Sequence, residues 1–110
     1  MKREIFLHNN QAYSISIGGN KCENTALITE SLSNDVWFHI AGLPSCHVVM
    51  KNTEKLGNIP RQVFAYLCKI NTNSAKSMSK CDVVYTTVAN VQTTAIAGAV
   101  ITQNTKTISV

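Results

Sequence analysis

The chain has 110 residues, enough for one domain and too few for two, and 45% of them are apolar, so a real core can form. Ten Lys and Arg against six Asp and Glu give a net charge of +4, a moderate bias toward polyanionic partners such as nucleic acid. The basic residues are scattered without a run of like charge, so any basic face has to be assembled by folding.

Met1-Lys2-Arg3 opens like a signal peptide, but the apolar run Ile5-Phe6-Leu7 stops at His8-Asn9-Asn10, far short of what such a peptide needs. Glu4 to His8 and Ala12 to Ile17 instead read as two strands. Tyr13, Ile15 and Ile17 alternate with Ser14 and Ser16, the period of a half-buried strand, and Asn9-Asn10-Gln11 supplies the turn of a β-hairpin. Gly18-Gly19-Asn20 breaks the second strand, and Asn20 or Asn24 caps a helix running to about Leu32. Val36 to Ile40 and Cys46 to Lys51 read as strands joined by a short loop around Gly42-Leu43-Pro44-Ser45, consistent with antiparallel neighbours.

Pro60 suits a helix start, and Val63, Phe64, Leu67 and Ile70 then recur at helical spacing. Arg61 and Lys69 on that helix read as solvated charges. Asn71 to Lys80 reads as a polar linker, and Asp82 to Val91 as one long strand. Gln92 to Ala97 is ambiguous. Ala99 to Thr102 and Thr107 to Val110 bracket the turn-like Gln103-Asn104-Thr105, as in a closing hairpin. The expected fold is a single α+β domain over residues 1–110, mainly antiparallel sheet, with hairpins at both ends and two helices between them.

The cysteines, Cys22, Cys46, Cys68 and Cys81, form no CxxC pair, so a structural zinc is not expected. They sit in or beside apolar runs, where thiols behave as small hydrophobes, and reduced thiols in a cytoplasmic protein are the expectation. No apolar stretch reaches membrane-spanning length, and no membrane partner is expected. Ser45-Cys46-His47 invites a catalytic reading, but neighbours in extended chain point to opposite faces, so Cys46 and His47 do not make a nucleophile–base pair. No catalytic, metal or cofactor site is expected.

On the strand from Val36 to Ile40, Trp37 and His39 project together while Val36, Phe38 and Ile40 face the other way. On the next strand His47 and Val49 share a face. If the two strands pair, Trp37, His39 and His47 gather into an aromatic and imidazole platform of the kind that stacks on unpaired bases. The competing reading makes Trp37 a core residue, lets His39 and His47 hydrogen-bond inside the fold, and has Asp35 brace the turn before the strand. Lys21, Lys51, Lys55 and Lys80 are candidate phosphate contacts. Gly18-Gly19-Asn20 with Lys21 is a helix start whose backbone N–H groups can hold a phosphate, or an ordinary strand-to-helix turn.

The block Asp35-Val36-Trp37-Phe38-His39, followed by Pro44-Ser45-Cys46-His47-Val48, resembles the NFACT-R domain, the RNA-binding module of the NFACT proteins of ribosome-associated quality control. Gly19-Asn20 with Asn24 and Leu27, then Ser79-Lys80, Val83-Val84-Tyr85-Thr86, Asn90-Val91 and Gly98-Ala99-Val100, extend the resemblance over nearly the whole chain. It implies a stand-alone binding module with RNA, tRNA or rRNA, as partner, and leaves room for a larger ribonucleoprotein partner. The expected nucleic-acid-binding set is Trp37, His39, His47, Ser45, Asp35, Asn20, Lys21, Lys51 and Lys80. The family often has a basic residue where this chain has Gln92-Thr93-Thr94. That departure, with the low charge, keeps a protein-interaction domain open as an alternative; within binding modules the alternative is a DNA-binding module.

Overall fold

The computed structural model describes residues 1–8, 10–51 and 61–110. Lys2–His8 (β1) and Gln11–Ile17 (β2) form the expected hairpin, in register from Lys2 opposite Ile17 to His8 opposite Gln11. Asn10 takes a positive φ in the turn, a conformation Asn tolerates. Lys21–Glu30 (α1) follows, capped by Asn20. Val36–Ile40 (β3) and Val48–Met50 (β4) pair antiparallel; β4 is shorter than Cys46 to Lys51 because the flanking residues bond outside the β3–β4 ladder. Thus Lys51 N donates to Ser14 O and Cys46 N to the Thr72 hydroxyl.

Arg61–Ile70 (α2) buries Phe64, Ala65 and Cys68. The side chain of Arg61 and all of Pro60 and Lys55 lie outside the described residues. Lys69, expected as a solvated charge, is instead buried, its ammonium on the oxygens of Ser79 and Val110. The stretch after α2 is a run of turns, with Ala75 and Lys76 N–H groups both donating to Thr72 O.

The expected long strand from Asp82 to Val91 stops early. Asp82–Thr87 (β5) gives way to a 3₁₀ turn at Val88–Asn90, followed by Val91–Thr93 (β6). In a continuous strand, Val88 and Val91 would face opposite sides. A 3₁₀ turn stacks positions three apart and brings both into one core. Backbone bonds from Val88 N to Asp35 O and Ala89 N to Ser33 O fix the turn, and Asn90 donates to the hydroxyls of Thr86 and Thr87.

The closing hairpin does not form either. Val100–Thr102 (β7) pairs with β6, and Lys106–Ser109 (β8) pairs with β5. The two segments serve different cores: Val100 packs with the α1 side, Ile108 and Val110 with the α2 side. Gln103 and Asn104 make the crossing, held where the Thr86 hydroxyl meets both carbonyls and Asn104 takes a positive φ.

Among the described residues the result is a six-stranded antiparallel sheet in the order β1-β2-β4-β3-β5-β8, with the β6–β7 ribbon apart from it. Tyr13, Ile15, Ile17, Val36, Phe38, Ile40, Val48 and Met50 pack against α2 on one face. On the other, Trp37 and Val49 meet Leu27 and Ile28 of α1, together with Val88 and Val91. The sheet is covered on both faces at its centre, which makes this an α+β domain of three layers.

Candidate nucleic-acid interface

The alternation read from β3 and β4 brings Trp37, His39 and His47 together. Trp37 Nε1–H donates to His47 Nδ1 at 3.1 Å. His39 stacks on the indole, with centroids 5.6 Å apart and planes 10° from parallel, and stands edge-on to His47 at 4.9 Å. Because Nδ1 of His47 accepts, its proton sits on Nε2. The trio is a brace rather than an open platform. Trp37 is 2% exposed and His47 1%, because α1 and the 3₁₀ turn cover that face. The expected stacking surface is therefore corrected for these two residues: neither ring has a face left for a base. His39 is half-buried.

Burial holds both imidazoles below the ordinary histidine range, His47 to about 3, where nearby His39 adds to the effect. Both are neutral at physiological pH and bring no charge to a phosphate. The backbone of His47 is tied as well, its N–H donating to Asn24 Oδ1 and its carbonyl accepting from Gly18 N. Gly18 is required here: a Cβ would collide with Asn24 Oδ1.

Asp35 is fully buried and braces the turn into β3, as the competing reading had it. Its Oδ2 accepts from Leu32 N at 2.9 Å and from Lys51 Nζ at 3.2 Å. Asp35 is corrected from a ligand contact to a brace, and Lys51 is committed to it. That pair lies at the far end of the β3–β4 ladder from Ser45, since Val36 opposes Met50.

A second grouping is built where α1 starts. Asn20 Oδ1 accepts from Glu23 N, and Glu23 returns the contact by accepting from Gly19 N, a reciprocal cap that fixes the helix entry. Ser45 accepts from Ile40 N at 3.1 Å and donates to the carbonyl of Cys46, which fixes the β3–β4 loop. The third wall is the turn after α2, Asn71 to Ser74, tied through the Thr72 hydroxyl to Cys68 O. Between these three segments lies an open cleft of about 380 Å³. Gly19, Asn20, Lys21, Asn24, Pro44, Ser45 and Cys46 line it together with Asn71–Ser74. Lys21 is exposed, and the tip of the β6–β7 ribbon fixes its backbone: Gly98 N donates to Thr25 Oγ1, and a Cβ on Gly98 would lie 3.2 Å from Lys21 Cα.

Of the expected set, the structure thus brings Asn20, Lys21 and Ser45 to one cleft and Trp37, His39 and His47 to one brace behind it. Lys80 is exposed just before β5 and does not line the cleft. Sequence reasoning missed Asn24, Cys46 and Asn71 to Ser74 as cleft residues. The Asn-Thr-Asn-Ser run was the available signal, and it reads equally well as a linker.

The site is thus a polar cleft of amide and hydroxyl groups in an α+β domain, with Lys21 at the helix start, donors of the kind that contact phosphate and sugar. Residues 2–108 match the family described as NFACT protein RNA binding domain, NFACT-R. The chain belongs to that family. It is 38% identical over 92 residues to Coiled-coil domain-containing protein 25 of Bos taurus, covering 79% of this chain and 44% of that protein. It is 34% identical over 88 residues to the Coiled-coil domain-containing protein 25 homolog of Dictyostelium discoideum, covering 76% of this chain and 43% of the relative. The chain thus spans less than half the length of these relatives. The fold matches the C-terminal part of the fibronectin/fibrinogen-binding protein from Streptococcus suis, with a TM-score of 0.83 at 23% identity, over all of this chain and 45% of that one.

Proposed function

We propose that this domain is an RNA-binding module, not an enzyme, and that the cleft beside α1 seats the sugar–phosphate backbone of a structured RNA such as tRNA or rRNA. The setting is cytoplasmic ribosome quality control, with a larger ribonucleoprotein as partner. The observation that carries the reading is the cleft itself, in a chain of an RNA-binding family. Its lining offers amide and hydroxyl donors and the ammonium of Lys21, groups that contact phosphate and ribose, and among the described residues no aromatic side chain lines it. Recognition by shape and backbone follows from that lining.

The test is labelled-tRNA binding by fluorescence anisotropy at roughly 50 and 200 mM salt, with duplex DNA as competitor. Preferential RNA binding that falls with salt and weakens in Lys21→Ala supports the reading. Salt-sensitive binding untouched by Lys21→Ala puts the contact surface elsewhere on the domain. Absence of binding at the lower salt overturns the RNA assignment.

A further inference from the structure

Cys46 leaves the β3–β4 loop, and Cys68 stands in the last turn of α2. Their sulfurs are 3.9 Å apart. The contact is organised: the Thr72 hydroxyl lies 3.3 Å from Cys46 Sγ, Cys46 Sγ lies 3.4 Å from Cys68 O, and Cys68 Sγ lies 3.6 Å from Cys46 O. Exposure differs between the partners. Cys46 is 9% exposed and lines the cleft, whereas Cys68 is fully buried behind it. Both thiols are buried, and the one beside the cleft, with a second in contact behind it, has the arrangement of an attacking and a resolving cysteine.

We propose that Cys46 and Cys68 form a reversible oxidation site, closed to a disulfide by a peroxide, with Cys46 reacting first. The Cys46 thiolate attacks one oxygen of hydrogen peroxide. The O–O bond breaks, leaving a sulfenic acid on Cys46, and the departing hydroxide takes up a proton as water. The sulfur of Cys68 then attacks the Cys46 sulfur, the S–O bond breaks, and the hydroxyl leaves as a second water with the proton of the Cys68 thiol. Two thiols are oxidised by two electrons and one peroxide is reduced to two waters. The sulfurs have to approach by about 2 Å to reach disulfide bonding distance. Hydrogen bonds from the Cys68 thiol and the Thr72 hydroxyl hold the Cys46 thiol below its ordinary range, and donation to Cys46 together with burial pushes Cys68 up. Of the two, Cys46 is therefore the partner that gives up its proton more readily. The bond would fasten the cleft's loop wall to α2. The site stands independently of what the cleft binds.

The experiment treats the full chain, in a Cys22→Ala background that removes the exposed thiol, with hydrogen peroxide. Remaining thiols are then alkylated and the peptides mapped by mass spectrometry. The expected product is a Cys46–Cys68 cross-linked peptide, a loss of about 2 Da from the intact chain, restored by dithiothreitol. In Cys68→Ser, checked for folding by circular dichroism, Cys46 should be trapped by dimedone as the sulfenic acid. Full alkylation of both cysteines in the treated Cys22→Ala chain, or a bond from either one to Cys81, overturns the proposal. So does oxidation of Cys68 in Cys46→Ser at the rate seen with both cysteines present.

Discussion

The bond from Trp37 to His47 joins two side chains that the sheet has removed from water, so its loss should register in stability before it registers in binding. Trp37→Phe leaves His47 Nδ1 without its donor in a buried site, and a cost of about 1–3 kcal/mol is expected in urea denaturation. Acid should act on the same pair. The folded protein holds His39 and His47 below their unfolded value of 6.5, so between the two states the unfolded chain binds more protons. Stability is fully present above about pH 6.5 and falls as pH drops, for His47 down to about 3, by at most about 1.4 kcal/mol per pH unit for each histidine. Glu30, whose carboxylate Arg3 stabilises, joins only below the ordinary glutamate range. Denaturation midpoints between pH 6.5 and 5 therefore report chiefly the imidazoles, since Cys46 titrates mainly above that window and Glu23 and Glu30 below it. His47→Asn, which keeps an acceptor for the indole, should make that limb shallower, and an unchanged limb would count against a neutral buried His47. That Trp37, His39 and His47 meet was legible from strand alternation. Their burial was not: α1 buries only Asn24, Leu27 and Ile28, too sparse a stripe to announce a covering helix.

Elements that depend on local rules were read nearly as they stand. The N-terminal hairpin, the Asn20 cap, β3 and α2 all follow from alternation, capping and helical spacing. What failed was the choice between partners of similar local quality. Val91–Thr93 and Val100–Thr102 look like strand, but nothing in either says that they pair with each other and leave β8 to β5. Two cores on opposite faces of one sheet made that decision. The ribbon tip gives a way to test it. Gly98 has φ +79° and sits against Lys21, so Gly98→Ala meets both a disfavoured backbone conformation and a crowded Cβ. A loss of about 1–2 kcal/mol is expected in denaturant titration, and the thermal midpoint should fall with it. If the ribbon braces the cleft, tRNA affinity should also weaken at temperatures where the variant remains folded.

For the molecule as a whole, the cleft was the least legible feature, because its walls come from three separated stretches around Asn20, Ser45 and Asn73. Family resemblance found the domain, and chain folding alone assembled the cleft. A net charge of +4 spread over the chain, with Lys21 the one lysine lining the cleft among the described residues, implies modest electrostatic binding. The slope of log affinity against log salt for tRNA should be shallow, and Lys21→Ala should reduce it by about one. Lys51→Ala should leave that slope unchanged, since its ammonium is engaged with Asp35. The strand order has a consequence in time. Ile15 pairs with Met50 and Tyr85 with Lys106, so the sheet closes only after long stretches of chain have been brought together. Such wiring delays the reward for each pairing until its loop entropy has been met, and a stopped-flow refolding experiment should find milliseconds to seconds rather than the microseconds of a helical bundle.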